Sequence, residues 1–128
     1  MNRLATLLLP LAALLLAACG DSRLDATLID YENQGDGQVP YFEPPAGWSL
    51  AYTWDCSTER SQNPTVSTQF AFVVFNADDT SLASEHPTLQ REGLKGSGTL
   101  HYARGGAYYI RVTSPCDWRI KTIKEVHP

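Results

Sequence analysis

Apolar and polar residues alternate one by one along much of this chain, which is the pattern of half-buried β-strands. The clearest example is GWSLAYTWDCS, in which the odd-numbered residues are small or polar. The even-numbered residues from this stretch share one face and are Trp48, Leu50, Tyr52, Trp54 and Cys56. This face is predicted to be buried in a core.

The same alternation recurs with turn residues between the segments. One further strand places Tyr108, Ile110 and Val112 in phase, and no segment carries a sustained helical stripe. The remaining strands are predicted over residues 27–33, 39–43, 66–76, 94–103 and 116–126, with one or two short strands in 81–91 and a loop over 57–65. Arg104-Gly105-Gly106 is predicted to close a hairpin. Seven or eight short strands favour a single antiparallel β-sandwich or barrel.

The chain begins with a different pattern. One positive charge at Arg3 precedes an apolar region from Leu4 to Leu16, and two small residues follow. This order is typical of a secretory signal peptide. Thirteen residues reach only about 20 Å as a helix, which is short of the ~30 Å hydrocarbon core of a membrane.

Leu16-Ala17-Ala18-Cys19 resembles the lipobox of bacterial lipoproteins. The resemblance implies that a diacylglyceryl group is attached to the Cys19 thiol and that a peptidase cuts before it. It therefore predicts a signal peptide over 1–18, a lipidated tether over 19–26 and a β-sandwich domain over 27–128. An ordinary secretory signal with an incidental cysteine is the alternative.

Lipidation also bears on the other cysteines. The chain has three, an odd number for an exported protein. If Cys19 carries lipid, Cys56 and Cys116 remain as a pair in an oxidising compartment, and we expect them to form a disulfide. A reactive thiol pair or a metal site is the alternative, although no CxxC spacing supports zinc.

The segment GGAYYIRVTSPCDWRIKTI resembles the closing strands of small exported jelly-roll domains, of the CUB and bacterial pre-peptidase C-terminal kind. The resemblance covers about 30 residues and implies a jelly-roll-like accessory domain. It brings no catalytic motif with it.

No residue set specifies a reaction, so we expect no enzyme activity, catalytic residue, cofactor or metal. Asp78-Asp79 lies in the turn sequence NADDTS, with a calcium site as the minor alternative. His86, His101 and His127 lack metal-ligand spacing, and no Gly-x-Ser-x-Gly elbow nominates a nucleophile. Gly96–Leu100 is interpreted as a glycine-rich strand start or bulge rather than a phosphate loop, because no helix pattern follows it.

Aromatic residues are the remaining candidates for binding. The rings at in-phase strand positions are assigned to the core. They are Trp48, Tyr52, Trp54 and Trp118. Tyr41 and Phe42 beside prolines and the out-of-phase Tyr109 are predicted to be exposed, where they could contact a ligand. Carbohydrate binding through these rings is the alternative to a protein partner.

The net charge of the mature chain limits the classes of partner that we expect. The mature chain would have 9 basic and 14 acidic residues, which gives no footprint for nucleic acid. We therefore expect a lipid-anchored, non-enzymatic envelope protein that binds a protein or glycan. Gly20, rather than Asp, follows Cys19, which by the rule known for enteric bacteria favours the outer membrane where one exists.

Overall fold

Two facing sheets of four antiparallel strands make up the part of the chain that the computed structural model describes, residues 26–125. The predicted signal peptide, Cys19 and most of its tether lie outside these residues. The strands are β1 (Ala26–Gln34), β2 (Gly37–Phe42), β3 (Trp48–Asp55), β4 (Gln69–Asn76), β5 (Thr88–Glu92), β6 (Lys95–Tyr102), β7 (Tyr108–Thr113) and β8 (Asp117–Lys124), with one short helix, α1 (Ser57–Gln62).

The strand order is β1-β8-β3-β6 in sheet A and β2-β7-β4-β5 in sheet B. Every connection crosses from one sheet to the other except the one between β4 and β5. All pairings are antiparallel. This is the topology of an eight-stranded jelly roll, so the predicted antiparallel β-sandwich is confirmed.

Two local predictions are wrong. Arg104-Gly105-Gly106 does not close a hairpin, because β6 pairs with β3 in sheet A whereas β7 pairs with β2 and β4 in sheet B. The turn reverses the chain as predicted, but the two strands bury their apolar faces by facing each other across the core. Residues 57–65 include the helix α1 rather than only a loop. At six residues, α1 is too short to show an apolar stripe in the sequence.

Aromatic rings fill the space between the sheets, as the alternation in β3 predicts. Trp48, Leu50 and Cys56 are completely buried. Trp54 of sheet A stacks on Phe70 of sheet B, with ring centroids 5.3 Å apart and planes at 3°. Stacked rings of this kind supply apolar burial and a fixed geometry together.

Two glycines in β6 make room for rings of the neighbouring strand. Gly96 pairs with Trp54 and Gly98 pairs with Tyr52. A Cβ atom at either glycine would collide with the paired ring. Gly96–Leu100 therefore belongs to a strand, as predicted, and its glycines let the aromatic side chains of β3 lie flat over the sheet.

A disulfide joins Cys56, directly after β3, to Cys116, directly before β8. The two strands are neighbours in register, with Asp55 opposite Asp117 and Trp54 opposite Trp118. The cysteine Cα atoms are 4.6 Å apart. The predicted pairing is thus confirmed, and it clamps the end of sheet A.

The two ends of the sandwich are referred to below as the β1 end and the disulfide end. At the β1 end, β1 begins and β8 finishes, since Ala26 pairs with Lys124. The loop before β3 joins the loop after β6 there through a hydrogen bond from the Gly47 N–H to the Ala103 carbonyl. The disulfide end contains α1, both cysteines and the turn between β1 and β2.

Replacing both cysteines by serine is expected to lower the free energy of unfolding by about 4 kcal/mol, because the bridge closes a long loop in the unfolded chain. The bridge spans 60 residues of sequence. Urea titrations of the oxidised protein, the reduced protein and the double variant measure this. The reduced protein and the double variant should unfold at similar, lower urea concentrations. Two free thiols in the unfolded, non-reduced protein would contradict the bridge.

Candidate functional site

The three aromatic residues predicted to be exposed have different environments. Tyr41 is 54% exposed on the edge strand β2. Tyr109 is partly buried on the outer face of sheet B. Phe42 is only 5% exposed and packs edge-on against Trp48. The prediction for Phe42 is wrong because an irregularity in β2 between Val39 and Phe42 turns this ring into the core.

Tyr41 and Tyr109 belong to a row of apolar side chains that crosses the outer face of sheet B near the β1 end. Phe75 of β4 lies opposite Tyr109 of β7. Leu82, which is 52% exposed, forms a bridge with Phe75 on the other side. Paired residues point to the same side of a sheet. The aromatic row therefore consists of Tyr109, Phe75 and Leu82, together with the exposed Tyr41 in the irregular stretch of the neighbouring edge strand β2.

The two rings in the middle of the aromatic row pack against each other. Phe75 and Tyr109 are stacked on each other, with centroids 4.9 Å apart and planes at 14°. The guanidinium of Arg111 lies 5.4 Å from the Phe75 centroid, a cation–π contact. Each ring thus covers one flat face of the other.

Strand β4 contributes apolar residues to both of its faces. Phe70, Phe72 and Val74 point into the core, while Ala71 and Val73 lie outside and continue the aromatic row toward the disulfide end. A solvated antiparallel sheet normally carries polar residues on its outer face. The outer face of sheet B is therefore the surface that most resembles a contact area.

The outer face of sheet A is charged instead. Arg119 of β8 donates two hydrogen bonds to Asp30 of β1, of 2.7 and 2.6 Å. The hydrogen bond to Arg119 holds the pKa of Asp30 below its ordinary value. Exposed pairs of this kind keep a sheet face solvated and contribute little stability.

Three carboxyl groups meet at the disulfide end, beside an open groove of about 550 Å³. Asp55 and Asp117 are directly opposite on β3 and β8. Glu59 of α1 is nearly buried and accepts a hydrogen bond from the Gln34 side chain at 3.0 Å. Desolvation first, and then the charges of Glu59 and Asp55 and a hydrogen bond with Glu59, raise the pKa of Asp117.

A serine, a histidine and a carboxylate meet at the β1 end. The Ser49 hydroxyl lies 3.0 Å from His101 Nδ1 and donates to Glu125 Oε2 at 2.6 Å. Glu125 Oε2 also lies 2.6 Å from the same histidine nitrogen. A nucleophile triad needs serine on one ring nitrogen and the carboxylate on the other. These three side chains instead connect β3, β6 and the end of β8 by hydrogen bonds.

The turn interpretation of Asp78-Asp79 fits the structure. Asp79 accepts hydrogen bonds from the backbone N–H and the hydroxyl of Ser81, at 3.0 and 2.6 Å. Those bonds lower the pKa of Asp79. Across residues 26–125, no group of three or more His, Cys, Asp or Glu residues is arranged to hold a metal ion. Within the same range, no helix has the length and apolar character needed to traverse a membrane.

Sequence reasoning missed Phe75 and Leu82 as surface residues. The strand predicted over 66–76 ends in Phe72-Val73-Val74-Phe75, which is apolar on both faces and therefore does not show whether the outer face is covered. Leu82 lies in the ambiguous segment 81–91, where alternation is too short to set a register. Only pairing with Phe75 shows that Leu82 points outward.

Asp117→Asn is expected to stabilise the protein at neutral pH by up to about 1 kcal/mol, the range for exposed charges. The raised pKa of Asp117 means that the folded state binds its proton more tightly than the unfolded state. Wild-type stability from this group is therefore present below the ordinary carboxyl pKa and is lost as pH rises through the raised value. Urea unfolding at pH 3 and pH 7 measures the difference between the two proteins. Equal stabilities at pH 7 would contradict the raised pKa of Asp117, and Asp78→Asn serves as the control in an exposed turn.

Comparisons with known proteins add little to this geometry. No family model matches the chain, and no curated protein matches it. A solved structure from work on Bacillus endospore appendages, which form disulfide-linked pili, aligns with 80% of this chain and 93% of that chain. The sequence identity is 10% and the TM-score is 0.33. At this level the likeness supports no statement about function.

Proposed function

We propose that this chain is a non-enzymatic bacterial lipoprotein that holds a disulfide-braced jelly roll on the outer side of a membrane and binds a partner protein through the outer face of sheet B. The observation that carries the binding role is the aromatic row across that face. Tyrosine, phenylalanine and arginine are the residue types enriched at protein interfaces, and this row contains all three when Arg111 is included.

The anchoring part of the proposal is supported by the lipobox-like sequence and by its distance from the fold. Cys19 precedes the first residue of β1, Ala26, by seven positions. An extended tether of that length spans about 25 Å. Lipid on Cys19 would therefore keep the β1 end close to the bilayer, with the disulfide end directed away from it.

The disulfide supports the same location. A bridge between Cys56 and Cys116 persists in an oxidising compartment outside the cytoplasm. It also keeps β3 and β8 in register at the end of the sandwich that a short tether would leave farthest from the membrane. A rigid domain presented in this way loses little conformational entropy when it binds.

Carbohydrate binding is the second candidate, and the exposed ring of Tyr41 is the observation that favours it. Stacking on a sugar requires a free flat ring face. Phe75 and Tyr109 each have one flat face covered by the other ring, and Trp118 is buried. The protein partner is therefore the better supported of the two.

Cys19→Ala is expected to abolish incorporation of an alkyne fatty acid in growing cells, because the cysteine thiol and its new amino group are the attachment points that the lipobox implies. Click labelling followed by electrophoresis measures this. Cys56→Ser with Cys116→Ser is the matched control, since it removes cysteines without touching the lipobox. Label that survives in Cys19→Ala would contradict the anchoring.

A photo-cross-linking amino acid at position 41 is expected to form a discrete protein adduct in intact cells, whereas the same group at position 94 is not. Leu94 is a matched control because it is 47% exposed and lies in the turn between β5 and β6 at the disulfide end. An adduct from both positions, or from neither, would contradict a partner on the aromatic row. Co-sedimentation with purified cell-wall polysaccharide that is lost in Tyr41→Ala would instead favour the carbohydrate candidate.

A further inference from the structure

We infer that the partner of the outer face of sheet B is a second copy of this chain, in a weak two-fold dimer. This inference rests on the proposed function, because it names the partner of the same face. The outer face of sheet B is apolar at its centre. Ala71, Val73 and Phe75 of β4 and Tyr109 of β7 carry no charge and are only partly buried, so a flat surface of the same kind can cover them.

The outer face of sheet B is also complementary in charge to the same face of a second copy. Arg111 lies two residues along β7 from Tyr109, on the disulfide side of the aromatic row. Glu43 and Asp78 border the row on the β1 side, and the charges of both act on the Tyr41 hydroxyl. Such a dimer has its two-fold axis along the aromatic row, perpendicular to the strands. This axis places Arg111 of each copy opposite Glu43 and Asp78 of the other. In such an isologous interface each attractive pair forms twice.

The charges also disfavour another surface as the occupant. Carboxylates at Glu43, Asp78 and Asp79 border the aromatic row, and they would be repelled by the anionic headgroups of a membrane. Among the described ring contacts, Arg111 over Phe75 is the cation that lies beside the aromatic row. A partner therefore needs one carboxylate group for Arg111 and positive charge for the border. A second copy supplies both.

The area of the outer face of sheet B determines the dimer affinity that we expect. Four strands of about six residues cover roughly 19 by 20 Å, which is less than the ~800 Å² per partner of a standard interface. The dimer should therefore have a Kd of about 1–100 μM. Attachment of both copies to one membrane raises their effective concentration, so an interface this small is sufficient there.

Sedimentation equilibrium of the protein purified from its host in density-matched detergent tests the inference. We expect a monomer–dimer equilibrium with the stated Kd. Arg111→Glu should weaken it by about tenfold or more, because it replaces attraction by like-charge repulsion at two symmetric places. Arg111→Glu combined with Glu43→Arg should restore dimerisation, since the reversed charges again face each other.

Leu82→Ser and Leu94→Ser form a matched pair for the apolar contact. Both leucines are about half exposed, so neither substitution should unfold the protein, which circular dichroism checks. Only Leu82→Ser should weaken the dimer. A dimer that is insensitive to both Leu82→Ser and Arg111→Glu would overturn the inference.

A protein that stays monomeric up to about 1 mM would also overturn it, since that is the weakest Kd at which a specific contact contributes appreciably. The two proposals remain distinguishable in that case. A position-41 adduct whose mass corresponds to a different protein would preserve the proposed function while the dimer fails. An adduct of twice the chain mass would support both, and absence of any adduct together with a monomer would overturn both.

Discussion

Contact between the aromatic rings of β3 and those of sheet B is the interaction on which this small fold depends. A domain of about 100 residues buries a limited fraction of its surface, so each buried side chain has to contribute much. Trp48, Tyr52 and Trp54 alternate along one strand and meet Phe70, Phe72 and Tyr108 of the opposite sheet. The large rings span the gap between the layers without a need for more residues.

This packing requires room within sheet A as well as between the sheets. Tyr52 and Trp54 lie over Gly98 and Gly96 of the edge strand β6, where any larger residue would displace a ring. The disulfide complements the arrangement at the other side of β3, because Cys56 and Cys116 continue the register of β3 and β8. The register of the central strand is thus set by aromatic rings on one side and by a covalent bond on the other.

The jelly roll could be predicted from the sequence to the level of strands, faces and the cysteine pair. Period-two alternation identifies the buried face of β3, β7 and β8 because one sheet face is in contact with the core. Alternation does not say whether the strand after a turn pairs with its predecessor or faces it across the core. For this reason the Arg104-Gly105-Gly106 turn was assigned to a hairpin, whereas it connects the two sheets.

The candidate site was less predictable, for a related reason. Exposure of Tyr41 follows from its edge position, but burial of Phe42 depends on an irregular pairing of β2 with β7 that no local pattern shows. Phe75 and Tyr109 are 34 positions apart and become neighbours only through the β4–β7 pairing. A surface assembled from several strands is a property of sheet order, which is the part of the fold that long-range packing decides.

The outer faces of the two sheets differ in their chemistry. Sheet A exposes ion pairs such as Asp30 with Arg119, which remain favourable in water and give a partner little to gain by displacing water. Sheet B has partly buried apolar side chains at the centre of its outer face, Ala71, Val73, Phe75 and Tyr109, with Arg111 over the Phe75 ring. Since both sheets bury equivalent inner faces, stability of the monomer does not require this difference. The proposed contact through the outer face of sheet B would account for it, and the proposed lipid tether at the β1 end would hold that face perpendicular to the membrane, where neighbouring copies could meet.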